Sequence, residues 1–330
     1  MFHLDEITCL AESLLAKNPD PIPRFRLIRD VLALPNTDPR WIESQRAAAK
    51  SPWVVELEDT QQENGTWGRF HSQDTTVRQR FVTTECAVQR ALLLGLDKNS
   101  DLLKRAAAYM VRHLCGEEEW SDPPEKHDGW PVNIRFVTAA TLSRIDPDHP
   151  ELEPIWKVWA EITSRTFHGG EYDAGAEAQA HRDLLGIRSK HKYLKLWMMY
   201  PFLILSSTRH RLPDDLEAAL LNWSWTHEQG MYYAYSQRLD QFPAIGSHHF
   251  LSWLVAIELL ARFKTWRETM GRDALAWLWE QRNRGGLWDL GPKVSRLPHF
   301  PLSDGWRKPL NRQIDSSTRI LTLLRCSCIP

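Results

Sequence analysis

Apolar positions along the chain fall into two alternating kinds of segment. In residues 152–167, Leu152, Ile155, Trp156, Trp159 and Ile162 recur at helical spacing and leave a polar face, the pattern of a helix with one wet side. Residues 194–205 are apolar nearly all round, with Leu196, Trp197, Met198, Met199, Phe202 and Leu203, the pattern of a helix that belongs inside. Between the two kinds lies a polar turn with a glycine and an aromatic residue just after it. No set of runs alternates with period two between tight turns, so strands are not expected.

This unit recurs. The half-wet and apolar segments are 54–62 and 83–96, 102–114 and 133–144, 152–167 and 193–206, 214–228 and 248–262, and 265–281 and 316–325. The aromatic markers Trp67, Trp120, Tyr172, Tyr232 and Trp288 lie 53, 52, 60 and 56 residues apart. Five copies at a near-constant period point to a repeat architecture. Outer and inner helices alternating in sequence predict an all-α fold, an α/α toroid of five to six hairpins. Each glycine allows the turn, and the aromatic then folds back to pin the end of the outer helix. Residues 1–50 add helices around 6–17, 23–34 and 38–50 that close or cap the ring, ahead of five pairs in 51–330. No linker rich in Pro, Gly or Ser interrupts the chain, so 1–330 reads as one domain.

Two turns carry a family likeness. Gln62-Glu63-Asn64-Gly65-Thr66-Trp67 and Gln281-Arg282-Asn283-Arg284-Gly285-Gly286-Leu287-Trp288 resemble the Gln-to-Gly-x-Trp repeat of squalene and hopene cyclases, shared more loosely with protein prenyltransferase β subunits. The resemblance spans about residue 54 to the C-terminus, and the other three turns keep only glycine and an aromatic. It implies a barrel with a deep central cavity entered near the loop face, and an isoprenoid substrate. The Asp-x-Asp-Asp acid of class II cyclases has no counterpart; Asp146-Pro147-Asp148 is followed by His149. The Asp-Asp-x-x-Asp magnesium signature is also missing, and Asp214-Asp215-Leu216-Glu217 follows Pro213 as acids at a helix start do. No cysteine stands in a prenyltransferase-like Asp-x-Cys, so a farnesyl- or geranylgeranyltransferase is not expected.

Bulk properties narrow the partners. A net charge of −1 gives no general pull toward nucleic acid or an anionic membrane. No stretch approaches eighteen uninterrupted apolar residues, and the N-terminus lacks a basic region ahead of an apolar run. No transmembrane segment is expected, transient membrane contact stays open, and the expected compartment is the cytoplasm. The five cysteines have no framework spacing and read as free thiols. Oligomeric state stays open.

Candidate chemistry gathers in the loops between the aromatic turns and the inner helices. Histidines and arginines there, among them His71, Arg78, Arg135, His181 and Arg307, suit an anionic head group. Trp197, Tyr200 and Trp253 would line an apolar barrel. Asp74, Asp128 and Asp304 are the candidate buried acids, with His127 and His248 as further catalytic candidates. The expectation is an enzyme that cyclises, isomerises or eliminates an isoprenoid or similar apolar or amphiphilic substrate in the lumen. Two alternatives stand beside it: a noncatalytic toroid binding a lipid or peptide, and a carbohydrate hydrolase or lyase using two carboxylates or a His and a Tyr. No cofactor is expected, and magnesium or zinc stays open.

Overall fold

The computed structural model describes residues 2–74, 76, 81–188, 194–208, 210–292 and 300–328. Among these the chain is all-helical, with fifteen α-helices and no strand beyond two isolated bridges, Met198 with Tyr232 and Met231 with Tyr235. No helix among the described residues is long and apolar enough to cross a membrane.

Twelve of the helices follow one another as six couples in chain order, at the places where the sequence pattern alternates. The first is α1 (Leu4–Leu15) with α2 (Pro21–Arg26), which a π-helical turn, Leu27–Val31, continues. Helix α3 (Pro39–Ala49) is an addition that packs on α2. The next pairs are α4 (Pro52–Thr60) with α5 (Thr84–Leu93), and α6 (Asp101–Cys115) with α7 (Trp130–Ile145). Helix α8 (Glu153–Thr166) is followed by an extra helix, α9 (Ala174–Leu185), before its inner partner α10 (Met199–Leu205). Then come α11 (Asp214–Thr226) with α12 (Phe250–Leu260), a short α13 (Lys264–Glu268), and α14 (Met270–Glu280) with α15 (Pro309–Ser327).

Burial separates the two kinds as the pattern demands. On α6 the buried residues Leu102, Leu103, Ala106, Tyr109, Met110, His113 and Leu114 form one stripe. On α7, by contrast, an unbroken run from Phe136 to Ser143 is buried, and every residue of α10 is. The inner helices touch in a closed order. Helix α5 packs on α7, α7 on α10 and α10 on α12. Arg319 of α15 grips Glu258 of α12 through two bonds of 2.6 Å. Helix α15 packs back on α2 and its π turn, and Arg26 of α2 donates to the Leu93 carbonyl at the end of α5 (3.0 Å). One hydrophobic core runs from Ile7 to Leu324.

The two best turns do the same physical job. The Trp67 indole N–H donates to the Leu57 carbonyl (2.9 Å), and the Trp288 indole to that of Leu278 (2.7 Å), each ten residues back at the end of its outer helix. Their backbone N–H groups reach forward to the inner helix, to the hydroxyls of Thr84 (3.0 Å) and Ser317 (3.2 Å). Each tryptophan thus ties an outer helix to its inner partner. Trp120 instead bonds Thr138 of α7 (3.1 Å), and Tyr172 stacks on Trp223 at 4.2 Å. Of the two glutamines in the first turn it is Gln61, one residue before the one the repeat suggests, that reaches the Leu102 carbonyl of α6 (2.9 Å).

Two expectations are corrected. The stretch around His181, expected as loop, is helix α9, capped by the Asp173 side chain and ended by Gly186 in the left-handed conformation. Residues 194–198 precede the inner helix instead of belonging to it, because Met198 is extended and its neighbour Trp197 shares backbone bonding with Tyr232.

Glycines separate turn strain from close approach. Gly65 (φ +93°) passes α6 so closely that a Cβ would lie 2.5 Å from the Arg105 carbonyl oxygen, whereas Gly116 (φ +76°) has open space. Gly116→Ala is expected to cost about 1–2 kcal/mol for the left-handed backbone alone. Gly65→Ala should cost clearly more, since α6 must also move. Urea unfolding of the two variants side by side checks the order, and equal losses would count against the close approach.

Candidate functional site

Glu85 stands in the first turn of α5, a helix capped by the Thr83 hydroxyl, which accepts the Cys86 N–H (3.2 Å). His71 Nδ1 lies 3.0 Å from Glu85 Oε2, and the Tyr200 hydroxyl at the start of α10 donates to Glu85 Oε1 (2.9 Å). The loop bearing His71 is fixed by Asp122, whose buried carboxylate accepts the backbone N–H groups of Phe70 (2.7 Å), His71 (2.9 Å) and Ser72 (2.5 Å). The Tyr233 ring sits edge-on to His71 at 6.3 Å and tilted to Tyr200 at 5.5 Å. It is 48% exposed and holds φ +70°, a strained conformation for a bulky residue. The side chains of His71 and Glu85 each keep 14% of their surface, so the pair is enclosed yet reachable.

Protonation follows from this enclosure. Burial alone would raise the Glu85 pKa, but the bond and charge of His71, the field of Arg144 and the Tyr200 hydroxyl outweigh it and hold the carboxyl below its ordinary range. Burial opposes charge on His71 as well, yet the bond to Glu85 and its charge, with Asp122 and Glu125 farther off, hold the imidazolium above its usual range. Burial and then the Glu85 charge push the Tyr200 phenol far up.

Beyond Glu85 a cavity of about 520 Å³ opens among the ends of the inner helices. Gln89, one turn past Glu85 on α5, and Met199, beside Tyr200, belong to its wall. Leu92, Leu203, Val255 and Leu259 give it apolar surface, and Arg26, Arg144, Arg262, Arg267 and Arg319 give it charge. Glu258 is the one carboxylate in the lining, and Arg319 already holds it. Arg26 is paired with Asp30 (2.8 Å), and Arg267 donates to the Ala261 carbonyl (2.9 Å). Arg144 reaches the Met199 sulfur (3.2 Å), while its Nε is buried with no acceptor. Arg262 lines the cavity and is exposed. Burial and then the like charge of Arg144 push its guanidinium down to about 10.

Of the residues singled out from sequence, His71 and Tyr200 belong to this cluster. Asp74 folds onto Thr76 (2.9 and 2.7 Å) and pairs with Arg69 (3.1 Å). Asp128 is exposed and accepts the Arg188 N–H (2.9 Å); Asp304 is exposed too, its carboxyl raised by partial burial and then by Asp20. Neither is the enclosed acid expected, because both lie in loops whose backbone they serve or that face outward. His127 pairs with Glu125 (3.0 Å), and His248 is exposed beside His249. Arg135 is exposed on α7, and Arg307 is exposed over Trp306 at 5.0 Å. Trp253 is fully buried with its indole on the Leu239 carbonyl (3.0 Å), so it fills the core. Trp197 packs between His227 and Tyr232. His181 is buried against Trp159, and burial pushes its pKa down to about 4, which keeps it neutral. Arg78 lies outside the described residues. Among the described residues no group of three His, Cys, Asp or Glu could hold a metal ion.

Two other buried carboxylates are committed elsewhere. Asp315 is pushed up to about 7 by burial and accepts from Leu302 (2.9 Å) and Ser303 (2.8 Å). Glu177 accepts from Tyr172 (2.7 Å), Lys195 (3.2 Å) and the Leu196 N–H (2.8 Å).

The His71–Glu85 pair should be visible in the pH dependence of stability. A histidine whose pKa rises on folding stabilises fully below its unfolded value, about 6.5, and loses that contribution as pH climbs through the folded value. A glutamate whose pKa falls on folding contributes above about 4.3 and loses it as pH drops through the folded value. The advantage of the wild type over His71→Gln should therefore be greatest between about pH 4.5 and 6.5 and shrink above that range. Urea unfolding of both proteins across this range is the check; a constant difference would mean the pair is not ionised.

Comparison of the chain with protein-family models, with curated proteins and with solved structures finds no match in any of the three.

Proposed function

We propose that the closed order of inner helices is an α/α toroid and that the protein is a lumen enzyme moving protons on a small apolar or amphiphilic substrate. The observation that carries this reading is the His71–Glu85–Tyr200 cluster, next along α5 and α10 to a cavity of about 520 Å³ lined by Gln89 and Met199. That volume lies in the range of small-molecule sites, roughly 300–1,000 Å³.

Around neutrality the pair holds one proton, so it can give one up or accept a second. An ionised Glu85 and an imidazolium held above its ordinary range do not supply the strongly acidic proton that cyclising an unactivated alkene requires. Isomerisation fits better. The Glu85 carboxylate takes a proton from a carbon next to a carbonyl of the substrate, the electron pair shifts the double bond through the enolate, and the same proton returns at its far end. Substrate covering the pair would strip it of solvent and raise the basicity of Glu85. His71 and the Tyr200 hydroxyl orient the carboxylate. A second reading, elimination from an acidic sugar, draws on the same His and Tyr and on the half-exposed aromatics Trp197 and Tyr232 beside Tyr233.

The test is deuterium exchange. Neutral isoprenoids, prenyl diphosphates and acidic oligosaccharides are incubated with the protein in heavy water and examined by mass spectrometry, with thermal unfolding run in parallel. A bound ligand at a hundred times its dissociation constant stabilises by about 2.7 kcal/mol. One ligand class should both stabilise and exchange. Glu85→Gln should keep the stabilisation and slow exchange by about 10²–10⁴-fold. Exchange that survives Glu85→Gln would remove Glu85 from the chemistry, and stabilisation without exchange would leave a noncatalytic binder.

A further inference from the structure

We propose that the arginine-lined end of the lumen binds the oxyanion head of an amphiphile, a phosphate or carboxylate, between Arg144 and Arg262, with its apolar chain along Leu92, Leu203, Val255 and Leu259. This names the substrate class of the lumen and rests on the lumen being a ligand site.

The case turns on which arginines have work elsewhere. Arginines near helix C-termini ordinarily bond the last carbonyls. Arg26 does so at Leu93 and Arg267 at Ala261, and Arg319 is held by Glu258. Arg144 and Arg262 have neither a carbonyl nor a carboxylate as hydrogen-bond acceptor among the described residues; Arg144 feels the charges of Glu85 and Glu258, and Arg262 those of Arg144 and Glu258. An anion lying between two guanidiniums that line one cavity would offset their like charge and accept from both. Among the described residues the one carboxylate in the wall, Glu258, is bonded to Arg319, so the wall leaves hydrogen-bond donors of Arg144 and Arg262 for a ligand. The leucines and valine beside them exclude a bare inorganic ion as the natural fit, since most of the wall it would face is apolar.

Cys326 supplies the readout, because it lines the same cavity and is exposed, while Cys9 and Cys115 are exposed outside the lining. Alkylation of the three thiols by iodoacetamide is followed by peptide mass mapping with decyl phosphate below its micellar concentration, decanol, or inorganic phosphate. Decyl phosphate should slow alkylation of Cys326 at least about fivefold and leave Cys9 and Cys115 unchanged. Arg262→Gln should raise the concentration giving half protection at least about tenfold. Equal protection by decanol, or none lost in Arg262→Gln, would overturn the anion site; equal protection by inorganic phosphate would overturn the amphiphile. Glu85→Gln separates this proposal from the acid–base one: protection should persist there even where deuterium exchange is lost. Exchange without protection would sink the anion site alone.

Discussion

An inner helix with inner neighbours on both sides and an outer partner behind it has no wet face, and this demand governs the rest of the molecule. Every polar group on such a helix must be answered locally, because burying it unpaired is costly. Helix α7 shows how. The hydroxyls of Thr138, Thr141 and Ser143 turn back onto the carbonyls of Ile134, Val137 and Ala140, so three polar residues sit in a buried run at little cost. A charged side chain has no such local answer. Glu258 and Arg319 meet it by gripping each other across the α12–α15 contact, which also completes the order of inner helices. Glu85 meets it with His71 and Tyr200.

The same demand explains why the helices were legible in the sequence. Whether a segment is wet on one side or on none is written into its own residues at a period of 3.6, so the two kinds and their alternation could be read without knowing the packing. What failed were segments where that local record is weak. Helix α2 is short and passes into a π turn, with no glycine–aromatic marker after α1, so the first pair could be expected only as a cap or closure. Helix α9 is rich in alanine and carries little hydrophobic pattern; its cap residues Asp173 and Gly186 were the only signal. The markers themselves divide in the same way. Trp67 and Trp288, in the two turns that keep the full repeat, share one geometry to within a few tenths of an ångström, while Trp120 and Tyr172 have been turned to other contacts.

The site was less legible, for a related reason. Loop residues such as Asp128, Asp304, His248 and Arg307 are ionisable because loops are wet, and the structure leaves all four exposed. Glu85 carried a better signal. It stands in the first turn of a largely buried helix, where a carboxylate has to be either paired or functional. Glu85, Arg144, Glu258 and Arg319, charges that interrupt inner helices, belong to the cluster or to the cavity wall, which the loop candidates Asp128, Asp304, His248 and Arg307 do not. What the sequence could not give is the pairing of Glu85 with His71 and Tyr200, since a separation of 115 residues from Glu85 to Tyr200 is bridged only by the packing of α5, α7 and α10.

Helix dipoles order these charges further. The wall of the cavity takes Leu92 and Leu93 from the end of α5, Arg144 from the end of α7, Leu259 and Ala261 from the end of α12, and Cys326 from the end of α15. Four inner helices therefore present their carbonyl ends to one space, and the field there is negative. Glu85 sits at the opposite, amino end of α5, where a carboxylate is favoured. Dipoles alone thus account for arginines at the one end and an acid at the other. They do not account for how those arginines are used. A guanidinium that serves only to offset carbonyl ends gains most by bonding a carbonyl, as Arg26 and Arg267 do. Arg144 and Arg262 stand in the same field without taking that bond, and the charge of Arg144 acts against that of Arg262. The field explains why arginine is tolerated there; the unused donors are what single out these two.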